Sequence, residues 1–400
     1  MAGHANPPSD VEHRAPLPIF THFILPQFIV CVVIALHPSF TIRLATWVSI
    51  AAVLLSAVRY DTGAIFQNYS MGTAFAALSL NALVLLLSDP MTECRHEAQK
   101  AAMVDMPLWQ RIYNAECITV NTRGIGWNYQ IPHLPLPPAS TRCRFILHQT
   151  LRLARFLLLL DLVQTYIDLN SAIVFPSGSL SIWHPGLGRR ALFVWAYATK
   201  SLCAVTIPYD TASIIAIALG LSPPKAWPLA FGAWKDAYTL RRFWGRVWQQ
   251  QMRRFVTAIG KYLACTLRCT PGSWASSHVQ LFTAFVVSGL AHVPGDTMIH
   301  PRFTGASFAF FPAQAVAITL EDFVVDVARK VGVREGTWTR VLGYVWTAAW
   351  LTYSVAWFAD NAARSGMAQD HLPFQPHVVR PLMGTIGNAT GIDLVRWMAA

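Results

Sequence analysis

The chain has 400 residues, of which 54% are hydrophobic and only 13% charged. Soluble domains carry charge on about a quarter of their residues, so this composition excludes disordered, coiled-coil and collagen-like chains and argues against a soluble α/β enzyme. Lys and Arg outnumber Asp and Glu by 31 to 20, a net charge of +11, and with no nucleic-acid-binding signature that excess reads as basic loops facing anionic lipid.

In chain order, residues 1–16 form a polar tail in which Asp10 and Glu12 offset Arg14, unlike the basic start of a cleaved signal peptide. The first apolar segment is then expected to act as an uncleaved anchor. Apolar stretches of bilayer-crossing length, about 20 residues, fall near Pro18–Leu36, Leu44–Val58, Met71–Leu87 and Ala154–Val174. The next runs from Leu192 to Leu221 with Pro208 in its middle. Further segments lie near Val279–His292, Phe303–Leu320 and Val341–Ala359. The expected fold is all-α: a polytopic integral membrane protein with about eight transmembrane helices. Residues 17–360 are read as one membrane-embedded domain, and 361–400 as a mixed C-terminal tail. No internal repeat of the transporter kind is present.

Orientation follows the basic residues. Segment 89–150 holds Arg95, Lys100, Arg111, Arg123, Arg142 and Arg144. Segment 223–275 holds Lys225, Lys235, Arg241, Arg242, Arg246, Arg253, Arg254, Lys261 and Arg268. Both are expected in the cytosol, which puts the N-terminus in the lumen and requires 192–221 to cross once, kinked at Pro208 or partly re-entrant. The two N-x-S/T triplets, at Asn68 and Asn388, then fall on the luminal side, with Asn68 too near the bilayer to be used.

The seven cysteines are scattered; only Cys265 and Cys269 are close, four apart, so neither a zinc knuckle nor a disulfide framework is implied. Polar residues in apolar segments each need a reason. Asp161, with Gln164 and Asp168 at helical spacing, and Asp210 fit either a polar path or hydrogen bonds within a bundle. Glu321, Asp322 and Asp326 read as bundle hydrogen bonds and helix ends.

Three motifs carry chemistry. In Val286-Val287-Ser288-Gly289-Leu290-Ala291-His292, an imidazole ends an apolar helix beside small residues that allow close backbone approach or leave a channel. Neutral near pH 7, it suits general-base work; on helix pattern alone a packed histidine is the commoner case. The second motif opens at Trp227-Pro228 and runs through Phe231-Gly232 to Tyr238–Arg254. Trp244 and Trp248, four apart, are expected on one helix face, with Arg242, Arg246 and Arg253 along a parallel one. That is either an interfacial helix with snorkelling arginines, or cations meeting the phosphates of a nucleotide-bearing donor beside an indole-lined passage. The third, Arg123-Gly124-Ile125-Gly126-Trp127, reads as a tight turn and not a dinucleotide loop, with an extended stretch through Pro132, Pro135, Pro137 and Pro138 after it. The H-x-x-x-D spacing from His292 to Asp296 occurs in soluble CoA-dependent acyltransferases, but their fold cannot be this chain. No G-x-S-x-G, H-E-x-x-H or G-x-x-x-x-G-K-[ST] is present.

In this order the three motifs resemble the wax-synthase-like branch of the membrane-bound O-acyltransferases, which carries R-G-I-G-W, then W-P…F-G…Y-x-L-R-x-F-W-G-x-x-W-H, then S-G-x-x-H. The match is best over about 105–300 and is nearest to fungal members acetylating terpenoid and meroterpenoid hydroxyls. The resemblance implies helices around a central tunnel in the endoplasmic reticulum. Acyl-CoA, here acetyl-CoA as co-substrate, enters from the cytosol, and a lipophilic alcohol arrives through the bilayer. It implies His292 as catalytic base; on the donor reading of the second motif Arg242, Trp244, Arg246, Trp248 and Arg253 lie at the donor, and with no cluster of metal ligands in the sequence no permanently bound cofactor or metal is expected. Where the family has His after the second Trp, this chain has Gln249; Gln cannot titrate, but its amide can donate to a thioester carbonyl or oxyanion. The alternatives are a long-chain acyl-CoA:fatty alcohol acyltransferase and, outside the enzyme class, a transporter using Asp161 and Asp210.

Overall fold

The structure, a computed structural model, describes residues 14–399 except 100, 137, 175–180, 184–185 and 391–392. Most of the polar tail (1–13), Lys100 of the first basic segment and Pro137 of the extended stretch lie outside the described residues. The chain is helical nearly throughout. A π-helical turn, Phe20–Ile24, leads into α1 (Leu25–Leu36), then come α2 (Phe40–Ser56), α3 (Ile65–Leu87), the single turn α4 (Pro90–Glu93) and α5 (Leu108–Val120). Next are α6 (Arg142–Val174), α7 (Leu187–Ala218), the short α8 (Leu240–Arg242), α9 (Arg253–Thr266) and α10 (Trp274–Ile299). The chain ends with α11 (Phe310–Lys330), α12 (Thr337–Arg364), α13 (Val379–Thr390) and α14 (Leu394–Ala399). Among the described residues the strand content is one parallel pair, β1 (Ala15–Pro16) with β2 (Tyr60–Asp61).

All eight apolar segments fall on helices over most or part of their length. Among the described residues three stretches are long and apolar enough to cross a bilayer by themselves, Phe40–Arg59, Ile65–Leu87 and Leu187–Ala218, and Phe20–Leu36 is a shorter apolar one. α7 runs unbroken through Pro208. Several boundaries differ from expectation. The segment placed at Phe303–Leu320 opens as turns over 304–309, because Gly305 takes φ +75° and the Asp296 carboxylate accepts from Ser307 N at 3.0 Å and Ser307 Oγ at 2.8 Å. The 361–400 stretch, read as a mixed tail, carries α13 and α14.

The chain folds as two compact units, each assembled from separated stretches: Met1–Ile131 with Gln251–Val316, and Pro132–Gln250 with Ala317–Ala400. In the first, α3 lies along α10, α9 along α10, α2 along α3 and α1 along α5. Val30, Ile34, Leu54, Phe75, Leu85 and Met298 belong to its core. The α3–α10 crossing depends on glycine. A Cβ on Gly72 would meet the backbone of Pro294 and Gly295 at 2.7 Å, and one on Gly295 would meet Tyr69 O at 2.6 Å. Only backbones without side chains approach that closely.

In the second unit α6 pairs with α7, α12 lies on α7, and α13 and α14 lie on α6. Buried polar groups tie these helices together, as water-free surroundings demand. Asp161 accepts from Val378 N and Val379 N, both at 2.7 Å, and from Gln375 Nε2 at 3.2 Å. Asp210 pairs with Arg152 at 2.8 Å. The Lys200 ammonium donates to the carbonyls of Met367, Ala368 and Asp370.

Candidate active site

His292 sits within α10, not at its end: the helix continues through Pro294 to Ile299. Proline removes one backbone donor and crowds the preceding turn, which ordinarily costs about 3 kcal/mol in a helix interior. Here the packing of α3 against that turn, Gly72 on Pro294, holds the helix together across it. The Ser273 side chain caps the start of α10 by accepting from Ser276 N at 3.1 Å.

The half-buried imidazole has partners within its own unit. Its Nδ1 lies 2.6 Å from the Tyr69 hydroxyl and 3.5 Å from Thr73 Oγ1, both on α3. The Phe311 ring stacks on it, centroids 4.5 Å apart and planes at 20°. One turn back, Gly289 leaves room for the Phe308 ring, which a Cβ there would meet at 2.9 Å. Asp296, the acid of the H-x-x-x-D spacing, is directed to Ser307 and so secures the turn that leads to Phe311.

The stretch whose tryptophans and arginines are expected on faces of one helix is, over 240–250, a folded turn instead. α8 is capped by the Thr239 hydroxyl, which accepts from Arg242 N at 3.0 Å. A π-helical turn over Phe243–Val247 follows, closed by Trp248 N donating to Phe243 O at 2.8 Å, and Trp248 itself is extended. The reason is tertiary. Residues around Phe231-Gly232 fold back onto this stretch, Gly232 N donating to Val247 O at 2.9 Å. A Cβ on Gly232 would sit 1.9 Å from Arg246 O. Buried Gln250 ties the turn by donating to Gly245 O at 2.7 Å. On α11, Glu321 accepts from Leu240 N at 2.7 Å, Arg241 N at 3.1 Å and Trp346 Nε1 at 3.0 Å, as an anion suits a helix N-terminus.

This turn gathers an aromatic cluster. Trp244 and Trp248 rings are 6.0 Å apart, and Phe231 and Phe243 rings lie 5.3 and 5.8 Å from Trp248. Arg246 and Gln249 leave the same turn. Arg242, at its start, lies over the Tyr238 ring at 4.4 Å and 3.7 Å from Asp236. Beside it, hydrogen bonds from Arg340 and Tyr238 hold the Glu335 carboxyl below its usual range. Thus Arg242, Trp244, Arg246, Trp248 and Gln249 share the second unit, while His292 and Arg253 belong to the first. From Ala237 to Gly295 the chain carries seven Lys and Arg residues and no Asp or Glu, a long run of one sign that attracts anions.

Arg123–Trp127 is a tight turn, as expected. Gly124 and Gly126 take φ of +67° and +79°, and the Asn121 side chain brackets Ile125 from both its backbone groups. Trp127 is buried there. Neighbouring Tyr129 lies under Arg254, at 3.8 Å, and burial pushes its phenol upward from the usual value. Asn68, the first N-x-S site, is buried, with its side chain engaged by Asp61 and Thr62.

The sequence did not point to Tyr69, Thr73, Phe311 or Gln250. One signal was present: Tyr69, Gly72 and Thr73 stand at i, i+3 and i+4, a small and polar stripe along an otherwise apolar span.

Residues 227–313 match the Membrane bound O-acyl transferase family, a stretch holding both the folded turn and the imidazole. Acetyltransferase ple2 of Rhodocybe pseudopiperita is 34% identical over 334 residues, 82% of this chain and 86% of that protein. Acetyltransferase eriL of Hericium erinaceus is 33% identical over 295 residues, covering 72% and 76% of the two chains. O-Mevalon transferase macI of Penicillium terrestre is 31% identical over 258 residues, 58% of each chain. Likeness of this extent, joined to the local match around His292, means that the chain belongs to the membrane bound O-acyl transferase family.

Proposed function

We propose that the protein transfers an acetyl group from acetyl-CoA to a hydroxyl of a lipophilic secondary metabolite of the terpenoid or meroterpenoid kind, within the endoplasmic reticulum membrane. Its eight apolar helical segments cross the bilayer around a tunnel in which donor and acceptor meet. The observation that carries this reading is the imidazole of His292, held inside an apolar helix by α3 and Phe311 within the family-matched stretch. The acetyl preference draws its support from the relatives named acetyltransferases, and the acceptor class from the motif resemblance.

His292 takes the proton of the acceptor hydroxyl while its oxygen bonds to the thioester carbon. The carbon–sulfur bond breaks, and the departing thiolate receives the proton back as CoA-SH. Charge builds on the former carbonyl oxygen, and the Gln249 amide and nearby indole N–H groups are the donors for it. Arg246, Arg253 and Arg242 serve the phosphates of CoA, with Trp244 and Trp248 lining its way in. Holding two substrates in one passage supplies roughly 7–11 kcal/mol of the barrier reduction at best. The transporter reading loses its support at Asp161, whose carboxylate is taken up by the backbone ahead of α13.

Microsomes from an expressing host, given radiolabelled acetyl-CoA or palmitoyl-CoA with hydroxylated terpenoids or fatty alcohols, test the proposal. Label is expected in acetyl esters of terpenoids, and His292→Ala is expected to cost about 10²–10⁴-fold in rate. Label only in long-chain wax esters overturns the donor and acceptor assignment. Full activity in folded His292→Ala overturns the mechanism.

A further inference from the structure

A neutral imidazole has one nitrogen bearing a proton and one bearing a lone pair, and the partner of one nitrogen sets the role of the other. Acyl transfer by His292 needs that division made in one particular way. Nδ1 is the nitrogen engaged at 2.6 Å by the Tyr69 hydroxyl, and the two rings are stacked, 5.7 Å apart at 24°. A phenol can donate or accept. If it donated, the ring proton would sit on Nε2, and the lone pair would already be spent on Tyr69. If it accepts, Nδ1 carries the proton and Nε2 is basic.

We propose that Tyr69 is a positioning residue for acyl transfer: its phenolic oxygen accepts the Nδ1 proton of His292, fixing the tautomer in which Nε2 is the base. The proposal rests on the reading of His292 given above. In the reaction Nε2 accepts the hydroxyl proton as the oxygen–carbon bond forms. It returns that proton to the thiolate sulfur after the carbon–sulfur bond breaks. The Nδ1–H···O contact persists throughout and strengthens while the ring is cationic.

The structure holds Tyr69 in place for this. Gly295, three residues beyond His292, lies against the Tyr69 backbone, where a Cβ would come within 2.6 Å of Tyr69 O. Gly72 gives α3 the matching close approach to Pro294. Phe311 restrains the imidazole plane. Asp296, the acid of the H-x-x-x-D spacing, accepts from Ser307 and leaves Nδ1 to Tyr69. Tyr69 thus takes the place an acidic orienting residue holds in catalytic triads, as a neutral group suited to an apolar interior.

The test uses the full-length enzyme in detergent or microsomes. Tyr69→Phe keeps the ring and removes one oxygen. A lost hydrogen bond to a group charged in the transition state predicts a kcat lower by about 10–100-fold. KM for acyl-CoA and acceptor should change by less than about twofold, and thermal stability should hold. Site-specific 3-fluorotyrosine at position 69 keeps the shape and weakens the oxygen as an acceptor; kcat is expected to fall by a smaller factor. Full kcat in Tyr69→Phe, or lost stability with kcat per folded enzyme intact, overturns the proposal. So does a kcat that rises on fluorination, since that marks Tyr69 as the donor. Because His292→Ala is measured alongside, retained activity there refutes the parent reading, whereas a dead His292→Ala with a fully active Tyr69→Phe refutes this proposal alone.

Discussion

Two glycines of the folded turn illustrate how differently residues of one motif are constrained. Gly232 has a backbone oxygen 1.9 Å from where a Cβ would stand, whereas Gly245 has nothing within 4 Å. A main-chain atom held by the Gly232–Val247 hydrogen bond cannot yield as a flexible side chain would. Gly232→Ala is therefore expected to destabilise by about 3 kcal/mol or more, and Gly245→Ala to stay within about 1 kcal/mol of the parent. Thermal unfolding of the detergent-solubilised variants measures the difference; equal losses would show that close return of the chain is not what position 232 requires. His292 was legible in the sequence because a lone imidazole in an apolar run stands out against its neighbours. Its partner Tyr69 was not, since it is 223 residues away and a tyrosine in an apolar span looks like ordinary packing.

At the scale of elements, the helices were legible and their ends were not. Hydropathy reports where a segment avoids water, and each of the apolar segments it picks out overlaps a helix among the described residues, three of them long and apolar enough to cross a bilayer by themselves. It does not report tertiary hydrogen bonds, and these set the boundaries that differed. The Asp296–Ser307 contact turns 304–309 out of the helix, and the return of Gly232 onto Val247 replaces the helix expected around Trp244 and Trp248 with a π turn and an extended tryptophan. Asp161 shows the same limit. From sequence it could equally have lined a polar path, yet its three acceptor contacts anchor Gln375 and the backbone at Val378 and Val379, just where α13 begins. Asp161→Leu leaves the buried Gln375 amide and two part-buried backbone donors without their acceptor, at about 1–3 kcal/mol for the buried amide and less for the other two. Limited proteolysis should then cleave residues 371–379 at least several-fold faster than in the parent, while acetyl transfer persists. Loss of transfer with an unchanged cleavage pattern would assign Asp161 a role beyond anchoring.

For the whole molecule, the proposed topology is testable through the basic segments and two long helices. α6 and α7 have 33 and 32 residues, each about 50 Å long and well beyond a hydrocarbon core of about 30 Å. α7 passes Pro208 without breaking, so Leu192 to Ala218 is one continuous helix, the form that the topology expected from charge placement needs. In the proposed topology α6 and α7 each cross once, which puts the segments at 89–150 and 223–275 on the same face. Each segment carries an exposed thiol, Cys143 at the start of α6 and Cys265 near the end of α9. Variants retaining only one of these cysteines, in sealed microsomes whose cytosolic face is outward, should both react with a membrane-impermeant maleimide before detergent is added. If Cys265 reacts only after the vesicles are opened, the chain between the two thiols crosses an odd number of times. The cations of the folded turn would then face the lumen, away from cytosolic acyl-CoA, and the assignment of Arg246 and Arg253 to its phosphates would fall with the topology.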